Sequence, residues 1–308
     1  MSWLEMTIRA HRREWRYLEG ALGQVGALSV TLLDAADEPI LEPGAGEMPL
    51  WKELLVIALF DGSVDQRGLK AVLQDLVYTL DDERFSFRTV EDKDWTRAWM
   101  DQYRPMRFGS RLWVCPSGMD LPDGARADGE PAPVVVTLDP GLAFGSGTHP
   151  TTALCLEWLD ALAARGVLAG SMVLDYGCGS GILAIAALKL GASRAIGVDN
   201  DPQALIASRD NAQRNGIDDA AFEVLDPEAF AARPEAREGF DVVCANILAG
   251  ALVALEPLLA QATRPGGRIA LSGILAEQSA EVQAAYGADF EGLEVVRRED
   301  WVRIASAD

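Results

Sequence analysis

Residues Asp175-Tyr176-Gly177-Cys178-Gly179-Ser180-Gly181 constrain this chain more than any other stretch. They follow a short apolar run, Met172-Val173-Leu174, and open a helical run from Ile182 to Leu190. A glycine loop between a strand and a helix lets the backbone turn tightly and lets a ligand lie close to it. The spacing is G-x-G-x-G, not the G-x-G-x-x-G of dinucleotide sites, and an acidic residue precedes the first glycine by two. A carboxylate in that place repels a pyrophosphate and suits a cation. Taken alone, the loop also fits a purely structural turn. A second feature narrows the reading: Arg194-Ala195-Ile196-Gly197-Val198 ends in Asp199, 22 residues after Gly177. A carboxylate at the tip of a second strand can accept both hydroxyls of a ribose. A cationic nucleoside without phosphate satisfies both features, and S-adenosylmethionine, with its ammonium and sulfonium, is such a molecule.

Around this motif, apolar runs alternate with helical patterns. The strand candidates are Met172 to Leu174, Arg194 to Val198, Ala221 to Val224, Val242 to Ala245 and Arg268 to Leu271. Such alternation predicts a parallel sheet with helices on both faces. The first 90 residues read differently. Leu4, Met6 and Ile8 alternate with polar neighbours, as do Leu28, Val30 and Leu32, and Phe85 and Phe87; Glu53 to Phe60 is a buried strand candidate. Trp15, Leu18, Leu22 and Val25 follow helical spacing, and Leu69 to Leu80 predicts a strongly amphipathic helix. Gly44 and Gly46, with Pro43 and Pro49, mark a long turn. The order βαββαβ is that of a ferredoxin-like sandwich. Trp95, Trp99 and Tyr103 recur every four residues and suggest a connecting helix; residues 122 to 133 read as a surface loop. The expected division is residues 1–90 as a ferredoxin-like substrate-recognition domain, 91–107 as a linker helix and 108–308 as the cofactor domain.

A length of 308 residues suits two domains. No apolar run approaches the roughly 20 residues of a membrane span, and no secretory signal is expected at the start. Cys115, Cys155, Cys178 and Cys244 are widely spaced, so neither a metal site nor a disulfide framework is expected, which points to reduced thiols and the cytoplasm. The net charge is -20. Residues 1 to 90 hold 9 Lys+Arg against 15 Asp+Glu, and the remainder 18 against 32, so both parts are acidic. That argues against a nucleic-acid binder, which displays a basic face, and favours a basic protein partner. Acidity that serves only solubility, or a salt-adapted source, fits equally.

Three further places can carry chemistry. The fourth strand ends Cys244-Ala245-Asn246-Ile247-Leu248. Ligands of such sheets sit at the carboxyl ends of strands, and the Asn246 carbonyl can orient an N–H of an amine whose lone pair must face a methyl donor; alternatively Asn246 caps the next helix. Asp226, after the third strand, is either an acceptor for an adenine amino group or a plain turn aspartate. The stretch Leu138 to Thr152 is rich in glycine and hydroxyls and reads as a loop able to close over a ligand. Thr151 or Thr152 can instead cap the helix expected from Ala153 to Leu162. His149 is read as a hydrogen-bonding fixture and not as a base.

The stretch Leu138 to Trp158, the Asp175 to Gly181 loop and Asn246-Ile247-Leu248-Ala249 together resemble the bacterial methyltransferases that modify large-subunit ribosomal protein eleven. The resemblance spans essentially the whole chain, and the loop before Thr152 is its most specific part. Ser146 stands where the family more often has Thr, and Asn200 replaces a usual aliphatic residue. The resemblance implies an α/β Rossmann-like class I methyltransferase domain with a mostly parallel seven-stranded sheet, preceded by a small α+β ferredoxin-like domain. It implies S-adenosyl-L-methionine as cofactor, with Thr152, Gly177, Asp199 and Asn246 at contact positions. Thr148, Asp175 and Gly179 complete the candidate binding set, and Asn246 is the candidate catalytic residue; no metal is expected. It further implies methylation of lysine side chains and the N-terminal amine of a basic ribosomal protein, up to the trimethyl state, by a cytoplasmic monomer that needs neither nucleic acid nor membrane. The competing readings are a small-molecule or nucleic-acid methyltransferase on the same fold, and a non-catalytic cofactor-binding module.

Overall fold

The computed structural model describes residues 2–36, 49–91, 104–125, 132–139, 147–237 and 239–306. The chain divides into two compact units, Met1–Trp95 and Thr96–Asp308.

In the first unit, β1 (Ser2–His11) pairs antiparallel with both β3 (Glu53–Asp61) and β4 (Phe85–Glu91), and β2 (Ser29–Asp34) closes the other edge. The order β2-β3-β1-β4, with helices Trp15–Gln24 and Gln66–Leu76 between the strands, is the ferredoxin-like arrangement expected from the period-two runs. Alternation decides the burial. Leu4, Met6 and Ile8 face Phe60, Ala58 and Val56 across the sheet, and all six are buried beneath Leu18, Leu22, Leu69 and Leu73 of the helices. Full burial of each large aliphatic side chain stabilises by roughly 1.5–3 kcal/mol. The second helix stops four residues earlier than its apolar pattern suggests. Val77 and Leu80 stay buried, but in the turn that follows. The long turn around Gly44 and Gly46 and the aromatic stripe at Trp95, Trp99 and Tyr103 lie outside the described residues.

The second unit is built on a seven-stranded sheet among the described residues, in the order β10-β9-β8-β11-β12-β14-β13. Its strands are β8 (Met172–Tyr176), β9 (Arg194–Val198), β10 (Phe222–Leu225), β11 (Phe240–Asn246), β12 (Thr263–Leu275), β13 (Leu293–Arg298) and β14 (Trp301–Ser306). The first five are parallel; β14 runs antiparallel between β12 and β13. The strand order reverses at β8, between β9 and β11, and the groove beyond the carboxyl ends of the strands at such a point is where open α/β sheets bind ligands. Both faces are covered: one core contains Val173, Ile185, Ala195, Val242 and helix Pro150–Ala164, the other Leu174, Ile196, Val243 and Leu252.

A small three-stranded sheet, in the order β5 (Met106–Phe108), β6 (Leu112–Cys115), β7 (Val134–Thr137), precedes this one. Met106 and Arg107 therefore belong to a strand paired with Val114 and Trp113, and not to the end of a linker helix. Three residues of pattern are too few to distinguish a strand from a helical turn. Asp160, only 2% exposed, ties this sheet to helix Pro150–Ala164 by accepting from the Ser110 hydroxyl at 2.7 Å and the Leu112 amide at 3.2 Å. Among the described residues no helix is long and apolar enough to cross a membrane.

Candidate functional site

The glycine loop stands at the reversal point, directly after β8. The Gly177 and Cys178 amides both donate to the Val198 carbonyl, at 2.7 and 3.0 Å, which folds the loop across the end of β9. Gly177, Gly179 and Gly181 have φ of 77°, 53° and 78°, a region that costs side-chain-bearing residues about 1 kcal/mol or more. At Gly177 space matters as well: a Cβ there would lie 2.1 Å from the Ile247 Cγ2. Gly273, at φ 84°, likewise leaves room for the Ile247 carbonyl, 2.3 Å from where its Cβ would stand. Helix Pro202–Arg214 holds the loop from behind, with the Ser208 hydroxyl and Asn211 amide donating to the carbonyls of Gly179 and Ser180, each at 2.9 Å.

Around this loop lies a cavity of about 670 Å³, within the size of small-ligand sites. Its walls include Thr152, Asp175, Gly177, Gly179, Asp199 and Asn246. Six of the seven residues expected at the cofactor site thus meet in one place. The seventh, Thr148, is exposed and does not line the cavity. Residues 140–146 of the preceding loop, Ser146 included, lie outside the described residues.

Asp175 is the electrostatic centre of the site. It is 1% exposed. Its Oδ2 accepts from the Ala184 amide at 3.1 Å, while Oδ1 is buried with no hydrogen-bond partner. Burial pushes its pKa up to about 7, the Ala184 hydrogen bond opposes this, and the nearby Asp199 charge adds to it. A buried carboxylate oxygen without a partner, on the wall of a cavity, matches a cationic occupant and would oppose an anionic one. The residues present therefore fit the ammonium and sulfonium of S-adenosylmethionine.

Asp199 does more than face a ligand. Its Oδ2 accepts from the Gly179 amide at 2.8 Å and its Oδ1 from the Asp201 amide at 3.0 Å. Each oxygen keeps one lone pair for a hydroxyl, so the residue shapes the loop and offers acceptors at once. Asn246, at the end of β11, donates from Nδ2 to the Thr152 hydroxyl at 3.3 Å. It caps no helix: the cap position of helix Ala249–Ala262 is Leu248, without a side-chain hydrogen bond. The cap of helix Pro150–Ala164 is His149 and neither threonine, since Thr151 and Thr152 lie inside the helix, buried. The His149 Nδ1 meets the Thr151 hydroxyl at 2.7 Å, and its ring stands edge-on to Trp301 at 4.7 Å. Burial lowers the His149 pKa against a smaller opposing pull from Glu299. These contacts suit a fixture.

Asp226 caps a helix through one of its oxygens. Its side chain accepts from the Ala229 amide at 2.8 Å as the cap of the short helix Pro227–Ala231, and Pro227, not Asp226, lines the cavity. Ile247, Leu248, Ala251, Leu255, Gly273 and Trp301, which sequence reasoning did not place at the site, also line the wall. Ile247 and Leu248 were within reach, adjoining Asn246; no motif marks Trp301. Among the described residues no group of three or more His, Cys, Asp or Glu side chains is placed to hold a metal ion. All four cysteines are free and buried.

The model of the PrmA family, ribosomal protein L11 methyltransferase, matches residues 2–308. Similar proteins include the ribosomal protein L11 methyltransferases of Xanthomonas axonopodis pv. citri, 53% identical over 99% of this chain and 98% of that one, and of Pseudomonas aeruginosa strain LESB58, 52% identical with the same coverage. The crystal structure of a ribosomal protein L11 methylase from Lactobacillus delbrueckii subsp. bulgaricus superposes with a TM-score of 0.55 at 30% identity, covering 66% of this chain and 97% of that one. With a match that runs from one end of the sequence to the other and a site whose charge and strand position agree with it, the chain belongs to the ribosomal protein L11 methyltransferase family.

Proposed function

We propose that this chain transfers methyl groups from S-adenosylmethionine to amines of ribosomal protein L11, at lysine side chains and the N-terminal amine, in steps up to the trimethyl state. The observation that carries the reading is the pairing of a buried, partnerless carboxylate oxygen at Asp175 with a carbonyl-bearing side chain, Asn246, on one cavity wall. Family membership supplies the substrate: the relatives at 52–53% identity are named for ribosomal protein L11. A net charge of -20 suits a basic protein partner.

The cofactor supplies an electrophilic methyl on its sulfonium. Asp175 and the Gly177–Gly179 backbone hold the cationic end, and the remaining Asp199 lone pairs receive hydroxyls. An incoming lysine must first lose its proton, which costs roughly 4–5 kcal/mol at pH 7 for a free side chain. Ile247, Leu248, Ala251 and Leu255 line the cavity beside Asn246, and such apolar walls favour the neutral amine by excluding water. In the first two transfers, with its Nδ2 held by Thr152, Asn246 would turn its carbonyl to one N–H of that amine, leaving the lone pair to face the methyl. A dimethylamine has no N–H left and would be placed by the apolar wall. Each transfer would leave S-adenosylhomocysteine. The proton passes to solvent. Residues 1–90 recognise the substrate protein and take no part in the chemistry, and the enzyme acts as a cytoplasmic monomer on the free protein without nucleic acid.

The test is incubation of the purified chain with recombinant L11 and S-adenosylmethionine, followed by intact-mass and peptide mapping. Successive methyl increments on lysine and N-terminal amines are expected. An unmodified L11 after exhaustive incubation overturns the reading. A fragment starting at Arg104, just before β5, should bind cofactor and lose activity on L11; full activity would refute the role given to residues 1–90.

A further inference from the structure

A carboxyl group that is 1% exposed and has one oxygen without a partner cannot easily carry a charge unless a cation is beside it. The groups that face Asp175 supply none. Asp199, across the loop, is another carboxylate. Cys155 on helix Pro150–Ala164, Cys178 in the loop and Cys244 on β11 are thiols whose burial keeps them protonated. Arg303 on β14 acts on Cys155 and Cys244, and its guanidinium donates to the Leu154 carbonyl at 3.0 Å. His149, on the same cavity wall, is held toward its neutral form. Among the described residues the stabilising contact is the Ala184 amide at the start of helix Ile182–Lys189. Asp175 lines the 670 Å³ cavity, and its partnerless oxygen is buried at that wall.

We propose that the cavity takes up its cationic ligand in exchange for a proton held by Asp175. In mildly acidic solution the empty enzyme carries Asp175 as the neutral acid. Entry of the cofactor places positive charge against it; the O–H bond breaks, the proton leaves to solvent, and a carboxylate–cation pair remains. In that pH range one positive charge enters as one leaves, so binding leaves no uncompensated charge at the buried site. The inference rests on the cofactor reading above and adds to it a linkage between pH and cofactor occupancy. The raised pKa of Asp175, about 7 in the free protein, places that linkage in the neutral range.

The sign follows from which form binds. Because the ligand prefers the ionised acid, affinity rises as pH rises toward 7 and levels above it. The experiment is calorimetric titration of the full chain with S-adenosylmethionine between about pH 5.5 and 8, in pairs of buffers with different ionisation enthalpies. Release of about one proton per cofactor is expected at the acid end, fading to none at the alkaline end, with Kd falling about tenfold per pH unit until the plateau. In Asp175→Asn, binding should be weaker at pH 8, independent of pH, and free of proton release. Difference infrared spectra of the unaltered protein give a second readout, the loss of a protonated-carboxyl C=O band on binding. Cofactor binding without proton release at the acid end overturns the proposal and leaves the cofactor reading intact. Release that persists in Asp175→Asn also overturns it, since the proton then comes from elsewhere. No binding at any pH overturns both.

Discussion

The Asn246 amide donates to the Thr152 hydroxyl across 3.3 Å, joining the end of β11 to the first turn of helix Pro150–Ala164. Two segments separated by 94 residues in sequence are thereby held to one wall. The bond also orients the asparagine: its nitrogen faces Thr152, which under the proposed mechanism leaves its carbonyl to meet an amine. Asn246→Ala should slow single-turnover methyl transfer by about 10²–10³, with a much smaller change in cofactor affinity. Asn246→Asp keeps an acceptor but holds the amine protonated, so its rate should recover between about pH 7 and 10 while the Ala variant stays slow. Parent-like turnover in the Ala variant would remove Asn246 from the mechanism.

Thr152→Val tests the same bond from the other side. It removes the acceptor and preserves the shape, and the rate loss should be less than that of Asn246→Ala. In the double variant the two losses should fall well short of additive, because both act on one carbonyl. Strict additivity measured in the cycle means that the two side chains work independently.

Asp199→Ala removes the acceptor of the Gly179 and Asp201 amides as well as the proposed hydroxyl contacts. Hydrogen bonds to a charged group are worth about 1.5–3 kcal/mol each. Cofactor affinity should therefore drop by at least about 10²-fold, and hydrogen exchange at the Gly179 amide should quicken even without ligand. An unchanged Kd by calorimetry would refute the assignment.

The ligand-free protein should also be less stable in mild alkali than in mild acid on account of Asp175. Its folded pKa, about 7, lies above the ordinary 3.8. The native state thus binds the proton more tightly, and that stabilisation is complete below the unfolded value of 3.8 and lost progressively as pH rises from there to the folded value of about 7. The full difference is on the order of 4 kcal/mol. Asp175→Asn should raise the melting temperature of the ligand-free protein at about pH 8 by several degrees and by clearly less near pH 5, where only part of the penalty has developed. Equal melting temperatures at the two pH values for both proteins would contradict this.

Gly177→Ala should abolish cofactor binding, because the new Cβ meets Ile247 and the backbone is at φ 77°. The companion substitution Ile247→Ala removes the steric conflict but not the backbone strain, so recovery of affinity should be partial. Full affinity in Gly177→Ala alone, by calorimetry, would show that the loop relaxes freely.

The parts of this site that depend on spacing could be read from the chain alone. Asp175 and the three glycines are adjacent, and Asp199 follows at the length of one helix and one strand, so chemistry and periodicity pointed together. Features made by long-range pairing could not be read. The strand Met106–Phe108 is visible only through its partner Leu112–Cys115, and it sat where a helix had been expected. The cap of helix Pro150–Ala164 was sought among the threonines because hydroxyls are the usual caps; His149 takes that role, which frees Thr152 for the cavity. Asp226 was ambiguous for the opposite reason, since an aspartate after a strand serves a turn or a ligand with equal ease, and here the Ala229 amide claims it.

Helix Pro150–Ala164 has nearly its whole circumference encased: Thr151 through Leu156, Trp158 to Asp160 and Leu162 are all buried. Its first turn carries Thr152, and Asp160 stands eight residues further on, about 12 Å along the axis at 1.5 Å per residue. A rod gripped on every side has no soft direction at one end only. Thr152 therefore moves when the rod moves, and the rod is tied both to β14, through Arg303 and the Leu154 carbonyl, and to the small sheet that Asp160 grips at Ser110 and Leu112. The grip of Asp160 on the turn from Gly109 to Leu112 thus shares in holding Thr152 at the cavity wall, one end of a single rod answering to a hold at the other.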